Sequence, residues 1–91
     1  MINGMPHHLV EWFRTEADQA RIAQITEALT AGVYPAEVTL VLIIAVPTDQ
    51  VVYGLFAASS SEALLALCAR AGIPPQRVSA DVHHAVHRAA S

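Results

Sequence analysis

The sequence predicts one small α+β domain whose elements follow the order strand, helix, strand, strand, helix, strand. Two segments carry apolar residues at helical spacing, and four others are rich in β-branched residues or alternate with period two. The chain has 91 residues, of which 54% are apolar and 14% charged, which argues against intrinsic disorder. We therefore expect a single domain over residues 7–88, with flexible termini at 1–6 and 89–91.

The first strand and the first helix are predicted from residue types and spacing. Residues 7–13 contain several residues of high strand propensity. Thr15 then fits a helix N-cap, with Asp18 three positions later as a capping-box partner. Gly32 is expected to end this helix. The apolar residues at helical spacing between them are Ile22, Ile25 and Leu29.

Residues 37–46 and 51–58 predict a β-hairpin, because 47–50 (Pro-Thr-Asp-Gln) is typical of a turn. Regular alternation would put Val38, Leu40, Leu42, Ile44 and Val46 on one side of the first of these strands. It would put Thr39, Val41, Ile43 and Ala45 on the other side. Both sides are therefore apolar, whereas a strand with one face in water should be polar on that face.

The second helix and the last strand follow the hairpin. Ser59 and Glu62 fit a capping box, and Gly72 is expected to end the helix. Residues 77–87 alternate as a strand does. Val78, Ala80, Val82 and Val86 are expected on one side, and Ser79, Asp81, His83 and His87 on the other.

With right-handed crossovers this element order predicts a ferredoxin-like arrangement. The four-stranded antiparallel sheet should have the order 4-1-3-2, with both helices on one face. The other face would be uncovered, and the second strand makes that face apolar. We therefore expect a homodimer that forms through the open sheet face, or a small apolar ligand bound there.

Composition excludes several classes of function. The net charge is −3 and the chain has no Lys, so it lacks the basic stripe of a nucleic-acid-binding protein. The longest apolar run, residues 40–46, is far shorter than the roughly 20 residues that span a membrane. No secretory signal pattern opens the sequence, so a cytoplasmic location is expected. The single cysteine, Cys68, excludes an internal disulfide and is expected to be a packed core thiol.

The five histidines lie near the two ends of the chain, at His7, His8, His83, His84 and His87. The predicted first and fourth strands pair antiparallel, which would bring these two groups together. A charged Glu11 belongs on the outer face, and alternation then places His7 outside and His8 inside. In the expected register, His7 faces His87 and Glu11 faces His83.

Side chains that face one another on paired strands are close enough to bind the same ion. Imidazole and carboxylate groups in that arrangement suit a divalent transition metal, nickel or zinc among others. The predicted ligands are His7, Glu11, Asp81, His83 and His87. Two other interpretations stay open. The histidines are either solvated surface residues, or a group that repels itself when protonated in acid.

The segment 46–56 (Val-Pro-Thr-Asp-Gln-Val-Val-Tyr-Gly-Leu-Phe) resembles a strand-turn-strand signature of the bacterial family known as domain of unknown function 4242. Residues 60–63, 70–74 and 77–78 resemble the part that follows, and 8–11 resembles the opening strand. The resemblance implies a ferredoxin-like fold, frequent dimers and nickel-binding-like members, and Glu11 matches a family position. This chain departs from the family at Gly54, where members often have Cys.

These observations lead to one hypothesis and two alternatives. The hypothesis is a cytoplasmic dimeric binding protein that holds nickel or zinc through its clustered histidines. The first alternative is a dimeric α+β-barrel enzyme of monooxygenase or isomerase type, acting on a small apolar substrate with His84 or Tyr53 as the polar group. The second is a purely structural dimerisation module. No catalytic motif or organic-cofactor motif is recognised, so no catalytic residue is assigned.

Overall fold

The computed structural model describes residues 5–31, 37–83 and 85, and this part of the chain contains four strands and two helices. In chain order they are β1 (His7–Phe13), α1 (Gln19–Thr30), β2 (Val38–Val46), β3 (Val51–Ala58), α2 (Ser61–Arg70) and β4 (Arg77–Val82). The turn between β2 and β3 is a short 3-10 segment, and Gln50 ends it in a left-handed conformation. The predicted order of elements and the hairpin are confirmed.

The strands form one antiparallel sheet in the order β2-β3-β1-β4. This is the predicted order 4-1-3-2, counted from the opposite edge. The two central strands, β1 and β3, are not consecutive in the chain. From β1 the chain passes through α1 to the edge strand β2, and the hairpin then places β3 between β2 and β1. The ferredoxin-like fold class is confirmed.

Both helices cover the same face of the sheet, and the core lies between them. Alternation along β1 sends His8, Val10 and Trp12 to this face, as predicted. Leu64 of α2 is fully buried there. The cluster of buried residues comprises Val10, Trp12, Ala17, Ile25, Leu29, Val38, Val52, Phe56, Ala58, Leu64, Leu67 and Cys68.

Both helices begin later than the sequence suggested. The N-cap of α1 is Asp18, whose carboxylate accepts a hydrogen bond from the Arg21 backbone N–H at 3.0 Å, so the prediction of Thr15 was wrong. The N-cap of α2 is Ser60, whose hydroxyl accepts from the Ala63 N–H at 3.1 Å, in place of the predicted Ser59. Several neighbouring residues carry suitable cap oxygens, and the backbone decides which is used. Gly32 lies outside the described residues.

A bulge in β2 changes the predicted alternation. Leu40 pairs with Phe56, but Leu42 pairs with Leu55, so Val41 is an extra residue in the strand. Beyond it the predicted faces were wrong. Ile43 and Ala45 pack on the core with Val38 and Leu40, while Leu42 and Ile44 lie on the opposite face.

A second bulge interrupts β4. Ser79 pairs with Leu9 and Val82 pairs with His7, so Ala80 and Asp81 together oppose the single residue His8. Asp81 has a φ of +55°, in the left-handed region that Asp tolerates better than most residues. The predicted alternation fails here, because Val82 lies on the same face as Ser79. The strand also ends at Val82, whereas it was expected to reach residue 87.

Candidate functional site: the open face of the sheet

One face of the sheet carries neither helix, and its side chains are largely apolar. Phe13 of β1 is 54% exposed, and Leu42 and Ile44 of β2 are each 47% exposed. These large apolar side chains are exposed to solvent, and an apolar surface of this kind usually marks a site of contact with another molecule. We call this surface the open face.

A concavity of about 220 Å³ lies in the middle of the open face. Leu55 of β3 forms its floor, since it is buried and has Leu9 of β1 and Leu42 of β2 as its cross-strand neighbours. Five aliphatic side chains line the concavity, together with Tyr53 and His83. The aliphatic residues are Leu9, Leu42, Ile44, Leu55 and Val82.

The two bulges supply three of these lining residues. The bulge at Val41 brings Leu42 and Ile44 to the open face, although simple alternation from Val38 would give Val41 and Ile43 that position. The bulge in β4 brings Val82 to the same face, opposite His7. Bulges often occur beside functional sites because they redirect side chains in this way. The concavity therefore depends on the irregular parts of the sheet.

Tyr53 and His83 are the polar members of the lining. Tyr53 lies between Ile44 of β2 and Glu11 of β1, and is half-buried. His83 follows the last residue of β4 and is exposed. Neither side chain has a hydrogen-bond partner among the described residues. Both can donate and accept hydrogen bonds, so the concavity combines an apolar lining with polar groups that can orient a ligand.

The predicted metal ligands are only partly brought together. Glu11 pairs with Arg77 across the sheet, and its carboxylate oxygen lies 3.6 Å from the Arg77 Nε. The register that put Glu11 opposite His83 was therefore wrong, because β4 begins at Arg77 opposite Glu11 and already ends at Val82, opposite His7. His7 pairs with Val82, and His83 follows directly.

Asp81 is exposed within the bulge of β4, and His87 lies outside the described residues. Among residues 5–31, 37–83 and 85, no group of three or more His, Cys, Asp or Glu is placed so that it could hold a metal ion. The candidate ligand set therefore stays a prediction, and its fifth member has no described position.

His8 and Cys68 belong to the core. The His8 ring is 4% exposed, with Nε2 at 3.2 Å from the Ala58 carbonyl oxygen and Nδ1 without a partner in the described part of the chain. Cys68 is fully buried, and burial raises the pKa of its thiol to about 11. Its nucleophilic thiolate is therefore scarce at neutral pH, which confirms the expected packed core thiol.

Sequence reasoning missed most of the concavity. The apolar character of both sides of β2 could be recognised, but sequence reasoning did not combine Leu42, Leu55 and Val82 into one site. The period-two pattern of Val51, Tyr53 and Leu55 was a usable signal for the open side of β3. The bulges had no comparable signal, because β2 is apolar on both sides and either alternation looks plausible.

Comparison with solved structures supports the fold. The chain is similar to SCO4226 from Streptomyces coelicolor A3(2), with a TM-score of 0.69 and 21% sequence identity over 92% of this chain and 99% of that one. No family model matches the sequence, and no curated protein matches it. The resemblance to the domain of unknown function 4242 family thus stays a prediction. In the described ranges, neither helix has the length and apolar character needed to cross a membrane.

Proposed function

We propose that this chain is a small-molecule-binding protein whose site is the concavity of the open face. The observation that carries the proposal is an apolar lining supplied by all four strands, combined with Tyr53 and His83, two polar side chains that have no hydrogen-bond partner among the described residues. Apolar pockets with a few polar groups are typical of ligand sites. A cytoplasmic location, expected from the sequence, is part of this proposal.

A second copy of the chain is proposed to cover the open face. Phe13, Leu42 and Ile44 are each about half exposed to solvent, and a second copy would bury their apolar surface. The ion pair on this face, Glu11 with Arg77, has no net charge and would not repel an identical partner. Two open faces packed together would turn a half-open concavity into an enclosed site, as expected for sheets that pack about 10 Å apart.

The dimer is tested with a matched pair of variants. Leu65 of α2 is 41% exposed, nearly as exposed as Leu42, but lies on the helical side. Sedimentation velocity should show a wild-type dimer, a monomer for Leu42→Asp and a dimer for Leu65→Asp. A monomeric wild-type chain at 100 µM, or equal behaviour of the two variants, would contradict the face-to-face dimer.

Ligand binding is tested with toluene as the probe. Ligand-observed saturation-transfer NMR should show saturable binding of toluene to the wild-type protein. Leu42→Trp fills the concavity and should abolish binding, whereas Leu65→Trp should retain it, since both sites are exposed enough to accept the larger ring. Equal toluene binding by the two variants would place the ligand elsewhere and refute the proposed site.

Metal binding is the second candidate function. It is favoured by one observation, the pairing of His7 with Val82, which brings the start of β1 beside His83. Nickel and zinc titrations near pH 7.5, on protein without a His-tag, should show binding that weakens on acidification as the imidazoles protonate. If His83→Ala and His87→Ala together leave the affinity unchanged, this function is excluded.

A further inference from the structure

We infer that the ligand is a small neutral ring compound that carries a hydroxyl group, with phenol as the simplest example. This inference rests on the proposed function, because it concerns the same concavity. It adds the size, the charge and the polar group of the ligand, and each of these follows from a different property of the lining.

The size of the concavity limits the ligand to about one ring. Its volume is about 220 Å³. A cavity of roughly 150 Å³ in an apolar protein interior holds benzene, whereas pockets for drug-sized ligands measure roughly 300–1,000 Å³. A single substituted ring therefore fills the space, and a larger molecule would project from the open face into the volume that the second copy is proposed to occupy.

The charge of the surroundings selects a neutral ligand. Among the described residues, the lining includes neither a carboxylate nor a guanidinium group, and the nearby Glu11 and Arg77 form an ion pair with each other. A ligand ion would lose its hydration among five aliphatic side chains without a permanent countercharge in the lining. An aromatic acid or amine should therefore bind more weakly than its neutral counterpart.

The two polar side chains select a hydroxyl group. The Tyr53 hydroxyl can donate and accept a hydrogen bond, and so can the neutral His83 ring through its two nitrogens. A purely hydrocarbon ligand would remove water from these groups and leave them unpaired, which is unfavourable. A ligand hydroxyl is also both donor and acceptor, so it can pair with either side chain whichever tautomer His83 adopts.

The test compares phenol with toluene, which have nearly the same shape and differ in the hydroxyl group. The dissociation constants are measured by ligand-observed NMR titration at pH 7.5, where phenol is neutral. We expect the wild-type protein to bind phenol about tenfold more tightly than toluene, the ratio that corresponds to roughly one net hydrogen bond. Benzoate should bind more weakly than phenol.

Two variants assign the preference to the named groups. Tyr53→Phe removes only a hydroxyl, and His83→Leu changes an exposed residue beyond the end of β4, so both should fold, as circular dichroism would verify. Each should weaken phenol binding severalfold and leave toluene binding within about twofold, and the double variant should lose the preference. Leu65→Ala is the control and should bind both probes as the wild type does.

The outcomes separate the two proposals. If toluene binds and Leu42→Trp abolishes this binding, the site stands. An equal affinity of the wild type for phenol and toluene, or a preference that survives in the double variant, would then overturn the hydroxyl inference alone. If neither probe binds in a saturable way, the proposed site fails and the inference fails with it.

Discussion

Trp12 shows how tightly the helix-covered side of the sheet is packed. Its indole N–H donates a hydrogen bond to the Ile73 carbonyl oxygen at 2.7 Å, and its ring meets Phe56 edge to face, with centroids 6.4 Å apart. Gly54 lies beneath both rings. A Cβ at this position would lie 2.9 Å from Trp12 Cζ3 and 2.9 Å from Phe56 Cε1. The mid-strand glycine therefore marks a close approach of aromatic rings.

Substitution of Gly54 with Ala should destabilise the fold. Overpacking of a well-filled core usually costs about 1–3 kcal/mol, and the hydrogen bond to Ile73 prevents Trp12 from moving aside. The free energy of unfolding, measured in urea, should fall by this amount. In a Trp12→Phe background the cost should be smaller, because the clash with Trp12 Cζ3 is removed and only the one with Phe56 Cε1 stays. A neutral Gly54→Ala substitution would contradict this account.

Cys68 should make the fold sensitive to alkali. Burial raises the pKa of its thiol from 9.0 to about 11. Above pH 9 the unfolded chain gains stability by ionising this thiol while the folded chain keeps it protonated. Folding stability is therefore fully present below pH 9 and is lost between about pH 9 and about pH 11, by up to roughly 2–3 kcal/mol.

The measurement for Cys68 is the free energy of unfolding in urea at pH 8 to pH 11. A Cys68→Ala variant should be less stable than the wild type at pH 8 because of the lost packing, but it lacks this ionisation. The gap between wild type and variant should therefore narrow as the pH rises. Parallel pH curves for the two proteins would show that the thiol contributes no such effect.

The bulge at Val41 in β2 is a local insertion that the sheet tolerates. Leu40 faces the core and Leu42 faces the open side. If Val41 were absent, these two residues would be neighbours and would alternate as in a regular strand. Val41 is 45% exposed and has no partner in the register with β3. Its removal would join the two halves of β2 without turning either one over.

Deletion of Val41 should therefore leave the fold intact, with a free energy of unfolding within about 1 kcal/mol of the wild type. Deletion of Tyr53 from the regular strand β3 is the control. It would turn one half of β3 over relative to both neighbouring strands, and that protein should not fold. Urea denaturation followed by circular dichroism distinguishes the two, and an unfolded Val41 deletion would refute this view of the bulge.

The elements themselves could be predicted from the sequence, because each is encoded by local spacing and residue type. Alternation along β1 placed His8 inside and Glu11 outside, as observed. The register between paired strands could not be predicted in the same way. The register of β1 with β4 depends on which residues of the segment 77–87 form the strand, and tertiary packing decides this. The strand begins at Arg77 and ends at Val82, so Glu11 faces Arg77 instead of His83.

Within the described part of the chain, both helices lie on the same face of the sheet, so the other face carries no helix there. The apolar residues on both sides of β2 were enough to predict that this face would be apolar. They were not enough to predict its concavity, which needs the two bulges and side chains from all four strands together with His83. The proposed ligand site is thus a property of the assembled sheet.

The most direct test of this account is methyl-resolved NMR of the wild-type protein during titration with toluene. The open-face site predicts progressive shifts for the methyl signals of Leu42, Leu55 and Val82, and unchanged methyl signals for Leu64 and Leu67, which belong to α2 and pack in the core. Shifts confined to Leu64 and Leu67, with the methyl signals of the open face unmoved, would show that the ligand does not bind on the uncovered side of the sheet.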